Sequence, residues 1–98
     1  MTSKEQLLEN VLAVVAELES DGDAGAWVDE QLSIEGYYVD GEGMYKGAEI
    51  LVTFGGPNIW VMTETNTVKG VWGGDSFERH YTDNMELDDF MEECYRCI

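Results

Sequence analysis

Ninety-eight residues supply one small domain, residues 1–98, and leave no length for a second core. Acidic residues number 21 against five Lys and Arg, a formal charge of −16; that balance excludes direct binding to nucleic acid or to an anionic membrane surface, both of which need a cationic footprint. A hydrophobic fraction of 44%, 11% aromatics and a single Pro argue against a disordered chain.

Residues 3–21 read as an amphipathic helix, with Leu7, Leu8, Val11, Leu12, Val15 and Leu18 at spacings of three and four and Glu5, Glu9, Glu17 and Glu19 mainly between them. Thr2 with Glu5, or Ser3 with Gln6, offers a capping box at its start, and Gly22 a stop. Residues 21–25 form a turn-rich link, and residues 26–33 either a short helix or an irregular segment around Trp27. From Ile34 the pattern turns to strand: Ile34–Val39, then the turn 40–43, then Glu49–Phe54 ended by Gly55-Gly56-Pro57. Ile59–Thr63 and Thr67–Trp72 flank Glu64-Thr65-Asn66 as a hairpin, and Phe77–Tyr81 adds an edge strand. A second helix covers roughly residues 84–96. Asp83 and Glu86 form its capping pair, and Leu87, Phe90, Met91, Cys94 and Ile98 its apolar stripe. The fold class expected is therefore α+β in two layers: an N-terminal helix, a three- to five-stranded antiparallel sheet and a C-terminal helix. The strand aromatics Trp60, Trp72, Tyr37, Tyr38, Tyr45 and Phe54 are expected mostly on the packed face. Trp60 and Trp72, on paired strands, would touch across the sheet, or one of them would stand out as an anchor for a partner.

The charge is unevenly distributed: residues 1–49 carry −10, residues 50–74 zero and residues 75–98 −6. The C-terminal segment places Asp83, Glu86, Asp88, Asp89, Glu92 and Glu93 within eleven residues. At about 1.5 Å rise per residue that is one carboxylate every ~3 Å, close to the ~3.4 Å between phosphates along one DNA strand. Neighbouring carboxylates on a helix repel, and those near its C-terminal end oppose the dipole, so helix stability does not account for them. These six residues, with Glu17, Glu19, Asp21 and Asp23, are the candidate partner-binding residues.

Motifs for chemistry are poor by comparison. Cys94-Tyr-Arg-Cys97 matches C-x-x-C but stands at the tail of a helix, where the dipole does not lower a thiol pKa. His80, the one histidine, leaves a zinc site short of ligands. Asp21-Gly-Asp23-Ala-Gly25 opens like a calcium loop, yet the sixth and twelfth positions are Ala26 and Leu32. The glycine pairs at 55–56 and 73–74 lack the Lys-Ser/Thr of a phosphate loop. No catalytic residue, metal or cofactor is expected. Two cysteines and an N-terminus without a basic and then apolar leader point to a reducing cytoplasm, that of a bacterial host cell under the resemblance that follows.

The stretch Ile50-Leu-Val-Thr-Phe-Gly-Gly-Pro-Asn-Ile-Trp-Val-Met-Thr63, continued by Val68-Lys-Gly-Val-Trp-Gly-Gly-Asp75, resembles small acidic proteins encoded by bacteriophages and prophages. The wider class includes anti-CRISPR and antirestriction proteins. That resemblance implies a stoichiometric inhibitor, monomer or homodimer, that occupies the basic nucleic-acid-binding surface of a host defence complex, a CRISPR effector or restriction enzyme, as a DNA mimic. The alternative is an immunity or antitoxin-like protein that plugs a basic nuclease or other toxin. A metal-binding module or small enzyme and a phage assembly component complete the field; the first predicts stabilisation by a divalent ion, the second self-association.

Overall fold

The computed structural model describes residues 2–98. Helix α1 (Ser3–Leu18) begins at Thr2, whose extended backbone lets Oγ1 accept the Glu5 N–H at 3.1 Å while its hydroxyl donates to Glu5 Oε1 at 3.2 Å. Of the two possible caps the chain uses the Thr2–Glu5 pair. The helix stops at Leu18, short of the expected residue 21. The Ser20 hydroxyl donates to the Glu17 carbonyl and its Oγ accepts the Gly22 N–H, so side-chain bonds replace the next turn. Leu7, Val11, Val14 and Leu18 are the buried stripe. Leu12, expected within it, is 47% exposed. Asp23 then caps a short helix, α2 (Ala24–Asp29), by accepting the Gly25 N–H at 3.0 Å.

Five strands follow, β1 (Ser33–Val39), β2 (Tyr45–Thr53), β3 (Asn58–Met62), β4 (Thr67–Trp72) and β5 (Asp75–His80), each antiparallel to the next in chain order. Ile50 faces Val61, and Val61 faces Val68. These residues, with Ala48 and Ile59, meet the buried residues of α1 and those of α3 (Leu87–Arg96) in one core. Gly70 lies directly under α1: a Cβ there would fall 2.6 Å from Val11 Cγ2 and 3.0 Å from Leu7 Cδ1. A glycine inside a strand marks this kind of close approach.

Register corrects the expectation for the tryptophans. Trp60 pairs with Lys69, and Trp72 lies three residues beyond Lys69. Side chains alternate between faces, so the two indoles sit on opposite sides of the sheet and cannot touch across it. Trp72 packs with the core, as do Tyr37 and Tyr45; these two also stack tilted against Tyr95 of α3, at 5.5 and 5.8 Å between ring centroids. Trp60 belongs to the outer face with Leu51, Met62, Lys69 and Val71. Tyr38 and Phe54 are exposed, Phe54 because it lies in the loop just past the end of β2.

Helix α3 starts at Leu87 rather than near residue 84. Glu86 adopts a left-handed conformation (φ 58°, ψ 45°), which no helix interior accommodates. Asp83 does cap the helix, its carboxylate accepting the N–H groups of Leu87 (2.7 Å) and Asp88 (3.1 Å), but Glu86 is not its reciprocal partner. Leu87 and Met91 are buried, Phe90 and Cys94 half-buried, and Ile98 is exposed beyond the helix end.

Candidate functional site

The ten candidate carboxylates divide into those bound within the fold and those free to meet a partner. Asp83 is the α3 cap. Asp88 points inward, its Oδ1 accepting the Tyr45 hydroxyl at 2.7 Å; burial first, and Asp88 after it, hold that hydroxyl above the usual tyrosine pKa range. Glu19 is a strut between the end of α1 and the β5–α3 loop. Its Oε2 accepts the Thr82 N–H at 2.9 Å, and its backbone carbonyl accepts the Asn84 side-chain amide at 2.6 Å. Asp23 caps α2 through Oδ1. Glu92 pairs with Arg96 one turn on, the one ion pair among the described residues. The side chains of Glu17, Asp21, Glu86, Asp89 and Glu93 are exposed and make no hydrogen bond or ion pair among the described residues.

The free acids are not scattered. Three open hollows run into one another along the helical side. The first, about 510 Å³, lies between the end of α1 and α2, with Glu17, Asp23 and Glu30 among the residues that line it. The second shares Asp23 and Met85 with the first and adds Glu86, Asp89 and Glu93. The last shares Asp89 and Glu93 and adds Glu92 and Arg96. The tract thus passes from α1 through the α1–α2 link to α3. It forms because α2 docks on α3: a Cβ added at Gly25 would stand 3.2 Å from the Phe90 ring. On α3 itself Asp89, Glu92 and Glu93 occupy the side opposite Leu87 and Met91, since each residue turns about 100°. Asp21 lines none of the three hollows.

Glu30, Trp27 and Met85 belong to this region and were not singled out by sequence. A weak signal exists: Ala13, Ala16 and Glu17 repeat at helical spacing on a second side of α1, away from its buried stripe, and Ser20 follows past its end. Cys94 and Cys97 are free thiols, and burial pushes the Cys94 thiol up rather than down, the wrong direction for a redox nucleophile. Among the described residues no group of three or more His, Cys, Asp or Glu is arranged to hold a metal ion, and no helix is long and apolar enough to cross a membrane. Comparison with known proteins finds no matching family model, no matching curated protein and no matching solved structure.

Proposed function

We propose that this chain is a non-catalytic inhibitor that offers its acidic tract to the basic nucleic-acid-binding surface of another protein, acting as a mimic of DNA charge; the phage-type resemblance of residues 50–75 suggests a bacterial defence nucleoprotein as the partner. The observation that supports this reading most directly is the continuity of Glu17, Asp23, Glu30, Glu86, Asp89 and Glu93 along adjoining hollows of the helical side. Helix stability accounts for Asp23, which caps α2, and favours Asp89 in the first turn of α3, but gives no reason for Glu17 or Glu93. Glu17 sits in the last turn of α1, which holds no basic residue, and Glu93 in the second half of α3. A carboxylate near a helix C-terminus is disfavoured by about 0.3–1 kcal/mol. With 21 acids, five Lys and Arg, and a single ion pair among the described residues, the negative field is almost uncompensated.

The test is a phage-plating assay in strains that each carry one defence system, a CRISPR effector or a restriction enzyme. Expression of the chain should raise plating efficiency in at least one of them. Reversing Glu86, Asp89 and Glu93 to Lys should weaken the effect at least about 100-fold, since like charges set against each other cost several kcal/mol. All three side chains are exposed and none makes a hydrogen bond among the described residues, so circular dichroism should be unchanged. Undiminished inhibition by the triple variant would exclude this tract as the contact.

A further inference from the structure

The first hollow differs in kind from the rest of the acidic tract. Much of its lining is apolar: Ala13 and Ala16 of α1, Ala26 of α2, the Trp27 indole and Met85, with Ser20 and Gly22 beside them. The charged residues of that lining, Glu17, Asp23 and Glu30, are all of one sign. A volume of about 510 Å³ lies within the roughly 300–1,000 Å³ of clefts that accept a ligand. Trp27, 7% exposed, adds an unanswered donor, because its buried Nε1–H meets no acceptor within the fold. A charge mimic needs only a convex, wet, acidic face; an apolar trough of three alanines contributes nothing to it. Leaving this trough uncovered keeps apolar surface in water at about 25 cal/mol per Å².

We propose that the α1–α2 groove receives an apolar side chain from an amphipathic, basic segment of the partner, whose flanking Lys or Arg residues meet Glu17, Asp23 and Glu30. Charge selects this occupant. A second copy of a chain that carries −16 is repelled from an acidic margin, and so is a nucleic acid or an anionic lipid. A helix laid along the groove would present anchors at i, i+3 and i+4 to the alanine wall, the usual way a groove takes an amphipathic helix. Its arrival removes Ala13, Ala16 and Ala26 from water and changes the surroundings of the Trp27 ring that lines the groove. The inference rests on the mimicry reading only for the sign of the partner's charge.

The probe is a fluorescent Lys/Leu peptide of about four helical turns, with Leu at i, i+3, i+4 and i+7, beside a scrambled peptide of the same composition. Binding is followed by anisotropy with the full-length chain. The amphipathic peptide should bind about tenfold or more tightly than the scrambled one, the worth of burying one large apolar side chain. Ala16→Trp, which fills the groove from an exposed helix position, should abolish that advantage and leave the scrambled peptide unaffected. Ala26→Trp, on the opposite wall, should do the same and guards against a local fault in either variant. In ¹⁵N spectra the Trp27 indole N–H should shift on peptide addition, with those of Trp60 and Trp72 still. Equal affinity for the two peptides, or a shift confined to Trp60 on the outer sheet face, overturns the proposal. Equal peptide affinities together with positive plating results would leave charge mimicry standing without the groove. Discrimination between peptides with no effect on plating would leave the groove standing and remove the mimicry.

Discussion

Tyr81 is 4% exposed, and its hydroxyl meets no acceptor within the fold. Burial first, then the nearby Asp83 and Asp88 carboxylates and Tyr45, hold that hydroxyl above the ordinary tyrosine range, and Tyr45 is shifted the same way, chiefly by burial. Both groups are neutral when protonated, so a raised pKa means that the folded chain keeps protons the unfolded chain gives up. Their contribution is complete below the unfolded tyrosine pKa of about 10 and is lost as pH rises beyond it. Urea midpoints should therefore show no tyrosine-linked loss between pH 7 and 9 and fall above about pH 10. Tyr81→Phe should flatten part of that fall. At pH 7 it should change stability by less than ~1 kcal/mol or raise it, because it removes a buried hydroxyl that lacks a partner. An unchanged alkaline slope in Tyr81→Phe would mean that another group drives the loss. The same crowding by Asp83 and Asp88 explains why these two carboxylates, prominent in the sequence, belong to the scaffold: one caps α3 and the other holds Tyr45. Sequence spacing marks where a carboxylate falls along a helix. It does not tell whether a tyrosine 43 residues away will claim it.

Among the elements, the contact that sets the height of α1 above the sheet is Gly70. A methyl group there would enter the space of Val11 Cγ2 and Leu7 Cδ1. Both neighbours are fully buried, and Val11 is branched at Cβ, so neither yields without moving the helix. Gly70→Ala should cost about 1–3 kcal/mol, the usual penalty for overpacking. The double variant with Val11→Ala should recover part of that loss relative to Val11→Ala alone, and chemical denaturation of the four proteins gives the coupling energy. Additive losses would show that α1 does not rest on Gly70. This dependence was invisible in the sequence, where Gly70 reads as a weak strand residue. The strands themselves were legible, because β-branched and aromatic runs separated by Gly- and Asn-bearing turns leave few other readings. Helix ends were less so. Ser20 ended α1 early by bonding back to Glu17, and Glu86 in a left-handed conformation postponed α3 until Leu87. In both cases the apolar stripe stops or starts where the helix does, at Leu18 and at Leu87, while the Gly22 stop and the Asp83–Glu86 capping pair pointed three residues beyond it. The tryptophan pair failed for a different reason: pairing two strands does not fix which faces their residues share until the register is known. The acidic tract was half legible. Charge density marked α3 and the end of α1, but their junction depends on α2 packing against Phe90, which no local pattern announces.

For the molecule taken whole, the central quantity is the reach of its charge. The chain measures 44 × 30 × 20 Å. At 0.01 M salt the screening length is about 30 Å, so carboxylates on α1, α3 and the β1–β2 turn all repel one another; at 0.15 M it is about 8 Å, and only near neighbours interact. A net charge of −16 with one ion pair among the described residues leaves this repulsion almost unopposed. The melting temperature should therefore rise between 10 and 150 mM NaCl by several degrees, at about 4–8 °C per kcal/mol for a domain of this size. Differential scanning calorimetry across that range measures it, and a flat or falling melting temperature would show that the acids do not act as one field. Binding to a cationic partner must respond with the opposite sign, because the attraction is screened over the same distances. One salt titration thus separates the two roles of the charge: stability of the free chain climbs while affinity for the basic amphipathic peptide declines. Should the two move together, binding is dominated by apolar burial in the α1–α2 groove, and the carboxylates around it serve solubility alone.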